Sequence, residues 1–282
     1  MSIIVAIILG LLQGLSEFIP ISSTAHLTIA GKLLGLIDPS HPEQWTSFIA
    51  VIQLGTLLAV LIYFSKEIRE IPSAFFRENI SAGRKPLGLQ SLNSRMGWFI
   101  IIGTIPIVTI GIVLKKVIES NITKDLLVIA LALIVLALIL AFAEKIAKFN
   151  KEIENVTWKD ALIVGLAQCL ALFPGASRSG TTLTAGLFLG IKREAAARFS
   201  FLLSIPAVLA SGILEFYQSL KYINGSDLVN IIVATLAAAI SGYGSIAFLL
   251  RFLRTRSTLL FIIYRVILGA SIIVLIWSKI IQ

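Results

Sequence analysis

Glu17, His26 and Arg178 are ionisable residues set in apolar stretches of a 282-residue chain. A lone charge in hydrocarbon costs at least about 2.5 kcal/mol, so an ionisable group there points to function. Hydroxyls crowd around all three. Ser22, Ser23 and Thr24 lie between Glu17 and His26; Ser177, Ser179, Thr181 and Thr182 surround Arg178, just after Pro174-Gly175. Gln13 and Glu17 are spaced i, i+4, which puts both side chains on one helix face. A planar guanidinium suits phosphate oxygens, and hydroxyls with free N–H groups at a helix start add an anion site. Glu17 beside a hydroxyl-rich loop can hold a hard divalent cation, Mg²⁺ or Ca²⁺. Histidine titrates in the range useful for general acid–base work, which makes His26 a candidate. An acid, a histidine, an arginine and several serines form a set suited to phosphoryl transfer.

Each of these residues also has a plainer reading. Glu17 and Arg178 could be a buried ion pair and no more, although such pairs stabilise poorly. The Ser22-Ser23-Thr24 run supplies N-caps for a helix after Pro20. Gln168 is expected to hydrogen-bond between helices, and Gln53 to line a cavity. Cys169 reads as a small core residue. Arg265, deep in an apolar run, has no motif around it and is expected to pair with lipid headgroups, with Glu215 or with a helix end.

The elements that must position these groups show as a repeat. Gly10 to Leu36 aligns without a gap on Gly165 to Ile191, 155 positions later, with ten of 27 pairs identical. Each copy is apolar and interrupted, at Pro20 or at Pro174-Gly175. Proline removes a backbone donor and disfavours helix just before it. The fragments are too short to span a bilayer separately, so two re-entrant helix hairpins are expected, with their non-helical tips lined by protein or water. Glu17 aligns with Leu172, and Arg178 with Ser23. The copies share their hydroxyls and differ in charge.

The whole chain is 57% hydrophobic and 14% charged, against about 25% charged in soluble domains. It reads as one integral membrane domain over 1–282, with halves at 1–150 and 151–282. Six apolar runs are long enough to span: Ser47–Phe64, Gly97–Leu114, Leu126–Ala143, Phe199–Phe216, Leu228–Leu250 and Leu259–Trp277. The net charge of +9 is better explained by basic cytoplasmic loops than by nucleic acid, which is not an expected partner. One cysteine rules out an intrachain disulfide or a cysteine-based metal cluster. The N-terminus has no basic n-region or clear cleavage site and reads as mature structure.

Charge placement orients the spans. Sixteen of the 24 basic residues fall in four connections. These hold Lys66, Arg69, Arg77, Arg84, Lys85 and Arg95; Lys145, Lys148, Lys151 and Lys159; Lys192, Arg193 and Arg198; and Arg251, Arg254 and Arg256. With re-entrant repeats all four lie on one side, which is expected to be the cytoplasm. The Ile37–Thr46, Lys115–Asp125 and Tyr217–Asp227 connections then lie outside. Three spans separate the copies, so the second is inverted and the tips meet near the midplane. The segment 77–95 is expected to be a solvated loop. A lipid flippase or transporter is the alternative class that such a fold admits.

The motifs carry a resemblance over essentially the whole chain. Gln13-Gly14-Leu15-Ser16-Glu17, followed by Pro20, Ser22-Ser23-Thr24 and His26, and Pro174-Gly175-Ala176-Ser177-Arg178-Ser179-Gly180-Thr181-Thr182 resemble the two motifs of the undecaprenyl pyrophosphate phosphatase family, also known as the bacitracin-resistance protein. The resemblance implies hydrolysis of a polyprenyl diphosphate to the monophosphate and inorganic phosphate, recycling the lipid carrier of cell-wall glycans. It implies a divalent cation, a plasma-membrane location and a site opening to the outer, periplasmic face. It also supports an all-α, inverted-repeat fold with six spans and two re-entrant hairpins. Glu17, Ser23, His26 and Arg178 are the expected catalytic residues, with Glu17 on the metal. Gln13, Ser22, Thr24, Gln53, Ser177, Ser179 and Thr182 are expected to bind phosphate or metal. Many members carry Glu at the position of Gln13, so a second carboxylate is missing here. The expected partners are the lipid substrate and the membrane, with a homodimer allowed.

Overall fold

A computed structural model describes residues 1–81, 83–219 and 225–279. The first repeat copy is α1 (Ile3–Glu17) and α2 (Ser23–Leu33). Then come α3 (Pro42–Tyr63), α4 (Ser65–Asn79), α5 (Leu92–Val113), the short α6 (Lys115–Glu119) and α7 (Leu126–Ile146). The second copy is α8 (Trp158–Gln168) and α9 (Arg178–Phe188), followed by α10 (Arg193–Ser219), α11 (Gly225–Thr255) and α12 (Leu259–Trp277). No strand occurs among the described residues; Lys151 and Ile191 form an isolated bridge. Six helices are long and apolar enough to cross a membrane: α3, α5, α7, α10, α11 and α12. Each overlaps one of the six expected runs. The chain is an all-α, multi-pass membrane protein. The outer connection expected at Tyr217–Asp227 begins in α10 and ends in α11, and its middle, 220–224 with Lys221, lies outside the described residues.

The two copies fold alike where their sequences agree. Both break after a short helix, and both restart at a serine with positive φ, Ser22 at 75° and Ser177 at 65°. Each serine caps the following helix: Ser22 Oγ accepts from Ala25 N at 3.3 Å, and Ser177 Oγ from Gly180 N at 3.2 Å. Both copies end in a left-handed glycine, Gly35 and Gly190. The helices of 15 and 11 residues in the first copy are about 22 and 16 Å long, short of a hydrocarbon core of about 30 Å.

Each hairpin leans on the other half of the chain. The α1 helix packs on α11, and α8 packs on α5. Gly10 and Gly165, an identical pair in the repeat, make the two approaches. A Cβ on Gly10 would collide with the Ala234 carbonyl, and one on Gly165 with the Gly103 carbonyl. The helix pairs α3·α10 and α7·α12 complete the frame. The main core cluster draws on both halves, including Phe18, Phe64, Leu140, Phe199, Phe201 and Phe261.

The segment 77–95 is exposed at 80–81 and 83–89, as expected of a solvated loop, but its two ends are ordered. Its first residues finish α4, which runs through Pro72. The rest is pinned by a polar cluster. Gln90 Nε2 and Trp98 Nε1 both donate to Asn79 Oδ1, at 2.9 and 3.0 Å, and Ser94 Oγ donates to Gln90 Oε1 at 3.0 Å. Glu78 and Gln90 are buried.

Candidate active site

Glu17 ends α1 at the tip of the first hairpin and is buried. Its carboxylate has four donors. Oε2 accepts from Gln13 Nε2 at 3.0 Å and from Ser23 Oγ at 2.6 Å. Oε1 accepts from Gln53 Nε2 at 3.1 Å and from Arg178 Nη2 at 2.8 Å. The i, i+4 spacing delivers Gln13, the break at Pro20 turns Ser23 back onto the carboxylate, and α3 delivers Gln53. Arg178 comes from the tip of the second hairpin, so the two tips touch. Ser179 adds a second link, its hydroxyl 3.3 Å from the carbonyls of Glu17 and Ile19. Ser177 Oγ lies 3.3 Å from Ser179 Oγ.

Arg178 is nine-tenths buried, yet only Nη2 is engaged. Nε and Nη1 have no partner. A buried donor left unsatisfied costs about 1–3 kcal/mol, and two of them, one on each side of the engaged Nη2, suit anionic oxygens. Gln13 Oε1 is likewise buried and unpartnered. A hard cation takes oxygen ligands and, for Mg²⁺, needs only one or two carboxylates alongside substrate phosphates. Glu17, Gln13 Oε1 and the Ser23 hydroxyl fit such an ion. Among the described residues no cluster of three His, Cys, Asp or Glu side chains could hold one by itself.

His26 sits one turn into α2 and meets neither Glu17 nor Ser23 in a hydrogen bond. Nδ1 lies 2.7 Å from the Ser22 carbonyl, and Nε2 lies 2.6 Å from the Tyr264 hydroxyl on α12. Thr24 is half-buried on the first turn of α2. Thr182 turns away from the tip. Its hydroxyl donates to Arg178 O at 2.7 Å and lies 2.6 Å from Ser200 Oγ, so it fastens α9 to itself and to α10. Ser22 is spent on capping.

Arg265 corrects its expected pairing with headgroups, Glu215 or a helix end. It is 1% exposed and donates to the Ala176 carbonyl at 3.1 Å, with the Gly175 and Ala132 carbonyls at 3.5 Å. It therefore supports the second tip from behind. Glu215 accepts from Ser47 Oγ instead, at 2.7 Å. Gln168 corrects its expected helix–helix bond, since both of its side-chain polar atoms are buried without a partner. Leu172 stands where Glu17 stands in the first copy, and the twin of Gln13 has lost its carboxylate. Cys169 is buried, as expected of a small core residue. Tyr264 was not singled out from sequence; its neighbour Arg265, a charge deep in an apolar helix, was the available signal.

The model of the bacitracin resistance protein BacA family matches residues 6–271. The chain belongs to this family. Among its relatives is the undecaprenyl-diphosphatase of Syntrophobacter fumaroxidans, 55% identical over 273 residues and covering 97% of each chain. Similar proteins of the same name occur in Myxococcus xanthus, at 52% identity over 98% of this chain and 89% of that one, and in Chloroherpeton thalassium, at 51% over 97% and 96%. As a BacA family member the chain contains both motifs within the matched span.

Proposed function

We propose that this BacA family member is an undecaprenyl-diphosphatase, hydrolysing the lipid diphosphate to undecaprenyl phosphate and inorganic phosphate. The observation that carries the reading is the half-used Arg178 guanidinium. One donor is fixed on Glu17, and two buried donors face no protein acceptor. The diphosphate oxygens supply the missing acceptors, and the guanidinium then stabilises charge as the P–O–P bridge breaks.

Ser23 is the nucleophile in this reading. Its hydroxyl is 2.6 Å from Glu17 Oε2, within reach for proton transfer to a general base. Ser23 Oγ attacks the terminal phosphorus, its proton passes to Glu17, and undecaprenyl phosphate leaves with the bridging oxygen. Water then cleaves the phosphoserine, releasing inorganic phosphate and restoring the Ser23 proton. His26 serves the water step as acid–base group. Gln13 and Gln53 hold the carboxylate in place, and Ser177 and Ser179 order the second tip. A bound Mg²⁺ or Ca²⁺ would supply charge neutralisation to the diphosphate, held by Glu17, Gln13 and Ser23. The paired hairpins are re-entrant and inverted in this account. The site opens to the periplasmic face of the plasma membrane in this reading, with the basic connections on the cytoplasmic side.

Phosphate release from purified undecaprenyl diphosphate tests the reading. Chelator should abolish turnover, and added Mg²⁺ or Ca²⁺ should restore it. Ser23→Ala should lower kcat by at least about 100-fold. Wild-type turnover by folded Ser23→Ala protein would remove the nucleophile assignment.

A further inference from the structure

Tyr264 makes a contact that the steps above do not use. Its hydroxyl lies 2.6 Å from His26 Nε2, and the two rings are stacked, with planes 7° apart and centroids 5.6 Å apart. The other ring nitrogen, Nδ1, lies 2.7 Å from the Ser22 carbonyl. A carbonyl only accepts, so Nδ1 carries the hydrogen. In a neutral imidazole the lone pair is then on Nε2, and the Tyr264 O–H donates to it.

Both partners of the imidazole are themselves held. Ser22 has a positive φ and caps α2 through Ala25 N, which fixes the direction of its carbonyl. Tyr264 is followed by Arg265, whose buried guanidinium is bonded to the Ala176 carbonyl of the second tip. One turn of α12 therefore touches both hairpins, the first through His26 and the second through the tip loop. Tyr264 is itself partly exposed, at 41%, so its phenol stands between the imidazole and the exterior.

We propose that Tyr264 is a positioning residue of the phosphatase reaction, donating to the His26 Nε2 lone pair and so fixing the ring whose Nδ1–H tautomer the Ser22 carbonyl selects. This rests on His26 taking part in the reaction. A carbonyl behind the ring and a hydroxyl before it define one tautomer and one ring plane, and the orientation of a catalytic imidazole commonly depends on such a partner. Ring packing alone would hold the plane without choosing the nitrogen that carries the proton.

Tyr264→Phe separates the two roles, because it keeps the ring and removes the hydroxyl. The chain has two histidines, His26 and His41, so ¹⁵N-histidine labelling gives a resolvable spectrum, assigned with His41→Ala. Wild type should show His26 protonated on Nδ1, with a hydrogen-bonded lone pair on Nε2. Tyr264→Phe should shift the Nε2 signal to that of a lone pair without a hydrogen bond, with Nδ1 still protonated on the Ser22 carbonyl, and lower kcat about tenfold, the effect of one orienting hydrogen bond, with KM within about twofold. Unchanged His26 signals in Tyr264→Phe would overturn the proposal, and so would shifted signals with wild-type kcat. His26→Ala separates this from the underlying reading. Full turnover by that variant would remove His26 from the reaction, whereas a failure of Tyr264 itself shows in the nitrogen spectrum.

Discussion

At the scale of single residues, the site is organised by a carboxylate with both oxygens engaged and a guanidinium with most donors free. Glu17 is held by Gln13, Ser23, Gln53 and Arg178. It is a fixed point rather than a mobile charge. Arg178 keeps a planar set of donors that Lys cannot reproduce, since an ammonium is a point charge without planar geometry. Arg178→Lys should therefore keep the charge and still lower kcat/KM for undecaprenyl diphosphate about 100-fold, read by phosphate release. Glu17 and Arg178 were legible in the sequence because an ionisable group in an apolar run is rare. Gln53 was legible as a polar residue in an apolar run, but its acceptor was not, because a helix 36 positions away supplies it. The Thr182 hydroxyl, inside a helix, bonds back to a carbonyl one turn earlier.

At the scale of elements, the repeat explains itself through backbone demands. The identical serines restart helices with positive φ, and the identical glycines admit a neighbouring helix. Gly10→Ala and Gly165→Ala each push a methyl into a carbonyl on the opposing helix. Each should destabilise the protein by about 1–3 kcal/mol, the range for overpacking, read by thermal unfolding in detergent. The breaks and caps were visible because proline and serine act locally. The α4 helix was not visible, because Pro72 lies inside it and an interior proline ordinarily argues against a helix. The order of the loop after α4 depends on Glu78. The Ser91 backbone N–H, 2.8 Å from its carboxylate, holds that carboxyl below the ordinary carboxylate range, with Lys85 and Arg77 assisting and burial opposing. A depressed folded value means the stabilisation is present above the unfolded value and is lost as pH falls through the folded one. Amide exchange at Ser91 should stay protected at neutral pH and lose protection only in acid. Glu78→Gln should lose protection already at neutral pH and speed tryptic cleavage after Arg84.

At the scale of the whole molecule, the two tips meet from opposite halves, and ion pairs tie the helices together around an open cavity lined by Glu67, Arg193, Glu194, Arg198 and Arg254. Arg198 pairs with Glu67, Arg193 with Glu144, Lys192 with Glu152 and Arg254 with Glu194, joining α4, α7, α10, α11 and the segment before α8. Beneath Glu17, Phe18 packs edge-on against Phe201, which also meets Phe64. The six spans were legible because hydropathy reports length directly. The exchange of hairpins between halves was legible only as an alignment, since packing partners are not written in periodicity. The central claim is that Glu17 and Arg178, one from each copy, act as a single unit on the diphosphate. A double-mutant cycle on phosphate release tests it, using folded Glu17→Ala, Arg178→Ala and the double variant. Each single change should lower kcat at least about 100-fold, and the double should fall no further than the worse single, as for residues that act together. Losses that multiply, or wild-type turnover in either single variant, would contradict the account.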